Sequence, residues 1–240
     1  MIDLEVLTPT EPWEDFERNY LKVRRAEGRI LKDEEVVSLP NLNKAHPHRS
    51  EWILRADTVR RLEQVLKSKF PLGGNLLEVG CGNGWLSNRL SNCGFDVTGI
   101  DVNRTELEQA NRVFSNPNLK FAFADVMRWE PSAPFDVVVF SAVFQYFEDP
   151  NAVVNRLLSK FGARSIYIVD TAFYSSSERK NAASRSHAYY QSKGVEEMSR
   201  YYHHHSTDDF EVAFEMIYRP SKLRKWLRKS PFPIVEVSAK

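Results

Sequence analysis

The segment LLEVGCGNGW, residues 76–85, decides the fold of this 240-residue chain. Its apolar first half predicts a β-strand over residues 76–79, and the pattern after it predicts an amphipathic helix over 85–93 that Gly94 ends. The turn between the two elements contains Gly80, Gly82 and Gly84. Glycine suits such a turn because it adopts left-handed backbone angles and lets another group approach the backbone closely. The sequence therefore predicts a strand, a ligand-contacting turn and a helix.

Short apolar strands alternate with helices along the next hundred residues. Strands are predicted at 97–100, 119–123, 136–140 and 165–169. The helix after the second strand opens on the capping-box sequence Thr105-Glu106-Leu107-Glu108, and the helix after the fourth opens on Asp149 and Pro150. Apolar strands joined by helices form a parallel sheet covered on both faces, which is a doubly wound α/β fold. The carboxyl ends of its strands meet at the edge where such folds bind ligands.

The residues before the glycine turn are predicted to be helical. One helix is expected at 12–27 and another at 51–70, separated by an irregular stretch at 31–49. We therefore expect residues 1–70 to form an N-terminal helical extension that packs over the ligand site.

The main domain is predicted to comprise residues 71–240. Within it, residues 172–209 follow the fifth strand as an insertion that forms a lid or the acceptor side. Two further strands, at 210–218 and 233–237, bring the mostly parallel sheet to seven strands. Between them, residues 222–229 are predicted to form a basic amphipathic helix.

The composition excludes several classes of protein. The 33 Lys and Arg residues against 32 Asp and Glu give a net charge of +1, which provides no strong field to attract nucleic acid or an anionic membrane. The two cysteines are too few for a disulfide framework or an iron–sulfur cluster. The longest apolar stretch, 135–144, is far shorter than the roughly 20 residues that span a bilayer, and the first residues lack a signal-peptide pattern. We expect a soluble, cytoplasmic protein without a nucleic-acid or membrane partner.

Two common glycine-rich ligand turns do not match this one. A phosphate-binding P-loop places Lys and then Ser or Thr after its glycines, but Trp85 and Leu86 stand there. A dinucleotide-binding turn has the pattern G-x-G-x-x-G, and its last glycine would fall on Trp85 or Ser87. Both classes are therefore excluded.

The pattern that remains is E-x-G-x-G-x-G, formed by Glu78, Gly80, Gly82 and Gly84. Together with acidic residues after the next strands, it resembles the class I S-adenosylmethionine-dependent methyltransferases over residues 75–171. The resemblance implies a Rossmann-like methyltransferase sheet and S-adenosylmethionine as the cofactor. In that family, the glycine motif lies against the methionine part of the cofactor.

The resemblance also implies roles for residues that follow the later strands. Asp101, after the second strand, matches the family residue that holds both ribose hydroxyls, and a carboxylate can accept both hydrogen bonds. Asp125, after the third strand, matches the residue that binds the adenine amine, and it equally suits a cap for a short turn. Residues 141–146, after the fourth strand, occupy the place where the methyl group meets its acceptor.

One basic residue outside these motifs is a candidate for binding the cofactor. Arg55 lies on the helix before the first strand, which closes over the cofactor in related enzymes, and its guanidinium can pair bidentately with the cofactor's carboxylate. The alternative is that Arg55 is a solvated side chain. The predicted cofactor-binding residues are therefore Arg55, Glu78, Gly80, Cys81, Gly82, Gly84, Asp101, Val102, Asp125, Val126 and Ser141. Cys81 is expected to fill space in the turn and not to act as a nucleophile.

Histidines in the insertion are candidates for acid–base chemistry. His203 and His205 would share one face of a strand. Three interpretations are open, namely a base in a substrate lid, a pair of metal ligands, or surface residues. No third ligand stands at a fixed spacing, so no metal site is predicted. With Tyr146, these two histidines are the candidate catalytic residues.

Motifs that the sequence lacks narrow the range of possible methyl acceptors. Family members that methylate exocyclic amines of DNA bases carry Asp/Asn-Pro-Pro-aromatic after the fourth strand, whereas Ser-Ala-Val-Phe stands at 141–144. Enzymes that methylate cytosine carbon use a Pro-Cys pair, and neither cysteine follows a proline. We therefore expect a small-molecule acceptor. The alternatives are a protein or RNA methyltransferase, which the basic helix at 222–229 favours, and a cofactor-binding partner subunit without activity.

Overall fold

The computed structural model describes residues 4–220 and 230–238, and the strands in these ranges form one sheet. The strands are β1 (Glu5–Val6), β2 (Gly74–Val79), β3 (Phe95–Asp101), β4 (Leu119–Phe123), β5 (Val137–Ser141), β6 (Ser165–Val169), β7 (Phe214–Tyr218) and β8 (Ile234–Ser238). Their order is β1-β4-β3-β2-β5-β6-β8-β7. Among these described strands, β8 runs antiparallel to both β6 and β7, and the other neighbouring pairs are parallel. The predicted α/β fold with a mostly parallel sheet is confirmed. Seven strands were predicted, and the additional one is β1. It was not predicted because a strand of two residues is too short to show an apolar alternation.

Helices cover both faces of this sheet. The α-helices of the described ranges are α1 (Glu14–Ala26), α2 (Asp33–Ser38), α3 (Arg49–Lys69), α4 (Trp85–Ser91), α5 (Arg104–Val113), α6 (Pro150–Lys160) and α7 (Ser176–Ser192). Short 3-10 helices lie at Glu11–Trp13, Phe144–Tyr146, Glu196–Tyr201 and Thr207–Asp209. Among the described helices, none combines the length and the apolar character needed to cross a membrane. The basic helix predicted at 222–229 falls outside the described residues.

Successive residues of the central strands face opposite sides of the sheet, which explains their continuous apolar sequence. Leu76 of β2 packs in one core with Leu62 of α3, and the next residue, Leu77, packs in a second core with Val154 of α6. These side chains are almost completely buried. The sheet therefore separates two apolar layers, and its edges and loops carry the polar residues.

The chain changes its direction of winding at the β2–β5 pair. From β2 it proceeds outward through β3 and β4, and it then returns to place β5 on the other side of β2. The loops that follow β2 and β5 therefore leave the sheet in different directions. Such a switch point opens a crevice at the carboxyl edge of the sheet.

Helix caps agree with the predictions in one case and differ in another. Asp149 caps α6 as predicted, since its Oδ1 accepts hydrogen bonds from the amides of Asn151 at 2.8 Å and Ala152 at 3.0 Å. The capping box predicted at Thr105 is wrong. Asn103 caps α5 instead, because its side chain accepts from the amide of Glu106 at 3.1 Å. Asn is as good a cap as Thr, so the sequence alone did not separate the two positions.

Residues 31–49 are less irregular than the sequence predicted. Helix α2 lies within them and begins after Lys32, whose amide donates to Oε2 of Glu35 at 2.8 Å. Val36 is fully buried in the core beside α3. Six residues with one buried apolar side chain provide too short a pattern for a helix to be predicted.

The N-terminal helix and the insertion contact each other above the carboxyl edge of the sheet. The Nδ2 of Asn19 on α1 donates to Oε2 of Glu197 at 3.2 Å, and the hydroxyl of Tyr189 on α7 donates to Oε1 of Glu27. The ring of Phe16 meets that of Tyr201 edge-on, with centroids 5.3 Å apart. These contacts join α1 and the insertion into a cover, which we call the roof.

Candidate active site

The glycine turn is held against the end of β3 by backbone hydrogen bonds. The amides of Gly80 and Cys81 both donate to the carbonyl of Ile100, at 2.8 and 3.1 Å. The amide of Gly82 donates to Oδ2 of Asp101 at 2.8 Å. The turn that follows β2 therefore has its position fixed by the residues that end β3.

Two of the glycines are required by neighbouring side chains. Gly80 has φ +72°, and a Cβ there would lie 2.3 Å from Cγ2 of Val143. Gly84 has φ +76°, and its Cβ would lie 2.4 Å from Cζ of Phe121. Both positions exclude a side chain for conformational and steric reasons. Gly84 packs against β4 and does not line the cavity, in contrast to the sequence-based expectation that its backbone contacts a ligand.

A cavity of about 1040 Å³ opens at the carboxyl edge, beside the glycine turn. The loops after β2, β3, β4, β5 and β6 line one side, and α1, α3 and α7 line the other. The predicted site residues that line it are Arg55, Glu78, Gly80, Cys81, Gly82, Asp101, Val102, Asp125, Val126, Ser141 and Tyr146. Its volume is slightly larger than the roughly 300–1,000 Å³ typical of small-molecule pockets.

Asp101 is the carboxylate that connects the glycine turn with the next helix. Its Oδ2 accepts from Gly82, and its Oδ1 accepts from the amide of Asn103 at 2.8 Å. Each oxygen has a second lone pair, so the carboxylate can still accept one hydrogen bond on each side. Burial raises the pKa of Asp101, and the backbone amides of Gly82, Asn103 and Val102 oppose that rise.

Glu78 is a second buried carboxyl group beside the turn. It is only 2% exposed and accepts a hydrogen bond from the hydroxyl of Ser87 on α4. Burial, together with the negative charge of Asp101, raises the pKa of Glu78 to about 8 against the opposing effect of the hydrogen bond from Ser87. Glu78 therefore holds its proton at neutral pH until a cation or a hydrogen-bond donor binds beside it.

Asp125 caps the turn that follows β4, which was one of the two roles considered for it, and it also lines the cavity. Its Oδ1 accepts from the amide of Met127 at 2.9 Å, and its carbonyl accepts from the amides of Arg128 and Trp129. The amide of Asp125 donates to Oγ1 of Thr8 at 2.9 Å. The residue is thus fixed at the end of β4 by bonds in both directions.

Arg55 is directed into the protein and not into solvent. Its Nε donates to Oε1 of Glu51 at 3.2 Å, and its guanidinium carbon lies 5.2 Å from the ring centroid of Trp52. Its side chain is 20% exposed and lines the cavity. The ring of Trp52 in turn meets Trp85 edge-on at 5.1 Å, which connects α3 to the start of α4.

The candidate catalytic residues fall into two different places. Tyr146 lines the main cavity, and burial raises its pKa, so the hydroxyl stays neutral. His203 and His205 line a second cavity of about 490 Å³ instead, beside the Arg179–Asp209 ion pair. Burial lowers the pKa of both histidines. Across the described residues, no cluster of three or more His, Cys, Asp or Glu side chains has the arrangement of a metal site.

Several charged residues to which the sequence analysis gave no role at the site also line the main cavity, among them Arg24, Glu106 and Asp170. Burial raises the pKa of Glu106 to about 7, against the influence of Arg24. Asp170 directly follows β6 and has φ +53°, an uncommon angle for a residue with a side chain. A carboxylate immediately after a parallel strand was a signal that could have identified Asp170, as it did Asp101.

Two buried polar atoms at the ends of β5 and β6 lack partners. Within the described residues, neither Oγ of Ser141 nor Oδ2 of Asp170 has a hydrogen-bond partner. Ser141 pairs in register with Val169, the residue before Asp170. Unmet polar atoms are uncommon in folded proteins, and both of these residues line the same cavity.

Known proteins match this chain over much of its length. A family model described as a methyltransferase domain matches residues 51–237. An uncharacterised methyltransferase of Mycobacterium bovis is 36% identical over 97 residues, which are 40% of this chain and 49% of that protein. A malonyl-[acyl-carrier protein] O-methyltransferase of Acetivibrio thermocellus is 31% identical over 99 residues, which are 40% of this chain and 35% of that protein. The match thus spans about half or less of these curated relatives.

A solved structure shares the fold along nearly the whole chain. Magnesium protoporphyrin IX methyltransferase from Synechocystis PCC 6803, solved with bound SAH, superimposes with a TM-score of 0.58 at 16% identity. The superposition covers 93% of this chain and 100% of that chain. At this level of identity the likeness establishes the fold.

Proposed function

This chain belongs to the methyltransferase-domain family of S-adenosylmethionine-dependent enzymes, and we propose that it transfers the methyl group of that cofactor to a small-molecule acceptor. The observation that carries the proposal is the hydrogen bond between Gly82 and Asp101, at 2.8 Å. It holds the glycine turn against the end of β3, where both residues line the cavity of about 1040 Å³.

The side chains around this turn fit the cofactor. Asp101 retains one acceptor position on each oxygen, which suits the two ribose hydroxyls. Asp125 lines the same cavity at the end of β4 and would bind the adenine amine. The backbone at Gly82 would adjoin the methionine part, and Arg55 would pair with its carboxylate.

When bound, the cofactor supplies an electrophilic methyl group on a positively charged sulfur. The residues of the chain then have to hold the acceptor in line with that group, and such positioning can contribute roughly 7–11 kcal/mol to catalysis. The roof, which the Asn19–Glu197 and Tyr189–Glu27 hydrogen bonds hold together, would exclude water during the transfer. The neutral hydroxyl of Tyr146 can donate a hydrogen bond to the acceptor or accept one from it.

Several observations favour a small acceptor over a protein or an RNA. The cavity lies between the sheet edge and the roof, so a large polymer would have to reach it beneath α1 and α7. The relatives' names include a magnesium protoporphyrin IX methyltransferase and a malonyl-[acyl-carrier protein] O-methyltransferase. Neither name includes a nucleic acid, and the second includes a carrier protein, so the names count against an RNA acceptor only. The cytoplasmic location expected from the sequence is part of this proposal.

Isothermal titration and label transfer together test the proposed function. The purified chain should bind S-adenosylmethionine and S-adenosylhomocysteine at one site. With cofactor labelled in its methyl group, label should enter the small-molecule filtrate of a cell extract, and nuclease or protease treatment should not reduce it. Absence of cofactor binding by the folded protein would overturn the cofactor assignment. Label that is lost after protease or nuclease treatment would assign the acceptor to a polymer.

A further inference from the structure

The cavity has an aromatic wall next to the loop after β5. Its rings come from three parts of the chain, namely α1, the 3-10 helix at Phe144–Tyr146, and the insertion. The ring centroid of Tyr146 lies 5.5 Å from that of Phe16, 6.2 Å from that of Tyr20 and 5.8 Å from that of Tyr202. Tyr190 continues the wall, with its centroid 5.9 Å from that of Tyr202. All five rings line the cavity, so its surface here is suited to a flat or apolar body.

One guanidinium lies within this wall. Arg24 follows Tyr20 by one helical turn of α1, and its guanidinium carbon is 5.5 Å from the centroid of the Tyr20 ring. The side chain is 23% exposed and lines the cavity. Within the described part of the chain, its buried Nε has no hydrogen-bond partner. Arginine remains positively charged here, so these donors favour an anionic acceptor of hydrogen bonds.

The acidic residues around Arg24 leave its guanidinium incompletely paired. Glu27 approaches Nη1 of Arg24 only to 3.6 Å, beyond hydrogen-bond distance. The same carboxylate lies 3.2 Å from Nε of Arg29 and also accepts from the hydroxyl of Tyr189. Glu106 lines the same cavity and interacts electrostatically with Arg24, but burial raises the pKa of Glu106 to about 7. A ligand carboxylate within hydrogen-bond distance of Arg24 would complete the pairing that these two residues leave incomplete.

We propose that Arg24 holds a carboxylate of the methyl acceptor, and that the acceptor is an aromatic or otherwise flat apolar acid. The inference rests on the proposed function, because it takes the aromatic wall as the place of the acceptor. Arg55, on α3, is the residue assigned to the carboxylate of the cofactor, and it is already bonded to Glu51. The planar guanidinium of Arg24 matches a carboxylate geometrically through two parallel hydrogen bonds, and the rings beside it contact the body of the acid.

Pairs of acids and amides test this inference by equilibrium binding. The protein is first saturated with S-adenosylhomocysteine, and it is then titrated with benzoate and benzamide, indole-3-acetate and its acetamide, and 2-naphthoate and 2-naphthamide. Within each pair the ring is the same and only the charge differs. The wild type should bind at least one acid roughly tenfold more tightly than its amide. Arg24→Gln should remove this preference while affinity for S-adenosylhomocysteine stays within about twofold.

Two further variants keep the test independent of folding defects. Arg25→Gln changes the neighbouring, exposed arginine of α1 and should leave the acid preference intact. Arg24→Lys retains the positive charge but not the planar group that makes two parallel hydrogen bonds, and it should keep part of the acid preference. Equal affinity of the wild type for acid and amide in all three pairs would overturn the inference, as would an acid preference that survives Arg24→Gln. A loss of S-adenosylhomocysteine affinity in Arg24→Gln that matches the loss for the acids would instead assign Arg24 to the cofactor and overturn the inference. Failure of the wild type to bind S-adenosylhomocysteine would count against the proposed function, and the acid and amide pairs would then be titrated against the ligand-free protein to test the acid preference separately.

Discussion

Gly82 and Asp101 are joined by a hydrogen bond of 2.8 Å between the amide of the turn and Oδ2 of the carboxylate. Gly82 lies in the turn after β2 and Asp101 is the last residue of β3, and both line the main cavity. Because the other oxygen of Asp101 accepts from Asn103, the carboxylate fixes the turn and the start of the α5 segment together. The residue that would bind the ribose is therefore also the one that shapes the glycine turn.

Replacing Asp101 should weaken cofactor binding strongly. In Asp101→Asn the amide group cannot accept hydrogen bonds on both sides, so either the bond from Gly82 or that from Asn103 is lost along with the charge. We expect affinity for S-adenosylhomocysteine to fall at least roughly tenfold, measured by isothermal titration. Asp96→Asn, an exposed position of the same strand, is the matched control and should bind normally. Unchanged affinity in Asp101→Asn would remove Asp101 from the site.

Gly84 should matter for stability more than a comparable glycine elsewhere. Gly84→Ala introduces a Cβ at φ +76° and 2.4 Å from Phe121, so strain and overpacking add to a loss of about 2–5 kcal/mol in the free energy of unfolding. Gly194→Ala has a similar φ, +69°, but no atom within 4 Å, and it should cost only about 1–2 kcal/mol. Urea unfolding compares the two variants. Equal losses would show that contact with Phe121 does not constrain position 84.

Arg55 should distinguish ligands by the presence of a carboxylate. Arg55→Gln is expected to lower the affinity for S-adenosylhomocysteine by roughly fivefold or more, because a charge-assisted pair is lost. Binding of 5′-methylthioadenosine, which lacks the amino-acid part, should stay unchanged. Arg60→Gln serves as a control, since Arg60 lies on the same helix with its side chain 59% exposed. If Arg55→Gln lowers the affinity for both ligands equally, the arginine supports the local structure and does not bind the carboxylate of the cofactor.

Glu78 should make the stability of the ligand-free protein depend on pH. Burial raises the pKa of Glu78 from an ordinary value of 4.5 to about 8, so the folded state holds a proton that the unfolded chain has released. This contribution to stability is complete below about pH 4.5 and is lost as the pH rises towards about 8. Relative to Glu78→Gln, the wild type should therefore lose free energy of unfolding across that interval.

Urea unfolding at a series of pH values measures this difference. Glu108→Gln, at a half-exposed position of α5, is the control and should follow the wild type at every pH. Parallel curves for the wild type and Glu78→Gln would contradict a raised pKa. Since the cofactor is a cation, its binding should also release protons near pH 7.

Most of the site residues at the carboxyl edge of the sheet could be predicted, because the carboxyl ends of parallel strands lie on the same side. Asp101 and Asp125 each follow a predicted strand, and the topology brings both to the cavity whatever the helices between them do. The same logic applies to Asp170, which the sequence analysis did not use. Asp149 was predictable as a cap because its effect is local, within three residues.

The remaining features depend on contacts between distant segments. Gly84 packs against Phe121, which lies two strands away in the sheet, so the motif alone suggested a ligand contact where there is a packing contact. Arg24 occupies a polar position of an amphipathic helix, and such positions ordinarily face solvent. Its side chain is nevertheless only 23% exposed, on a helix that the insertion contacts. For His203 the sequence left a base in a lid, a metal ligand and a surface residue open, and the path of the insertion takes it to the second cavity.

The central claim is methyl transfer to a small molecule at the cavity beside Asp101. The most direct measurement is transfer of labelled methyl groups from S-adenosylmethionine into the small-molecule filtrate of a cell extract, with wild type and Asp101→Asn compared side by side. The account predicts label in the filtrate with the wild type and at least roughly tenfold less with Asp101→Asn at limiting cofactor. Equal labelling by the two proteins, or no labelling by a wild type that binds the cofactor, would contradict it.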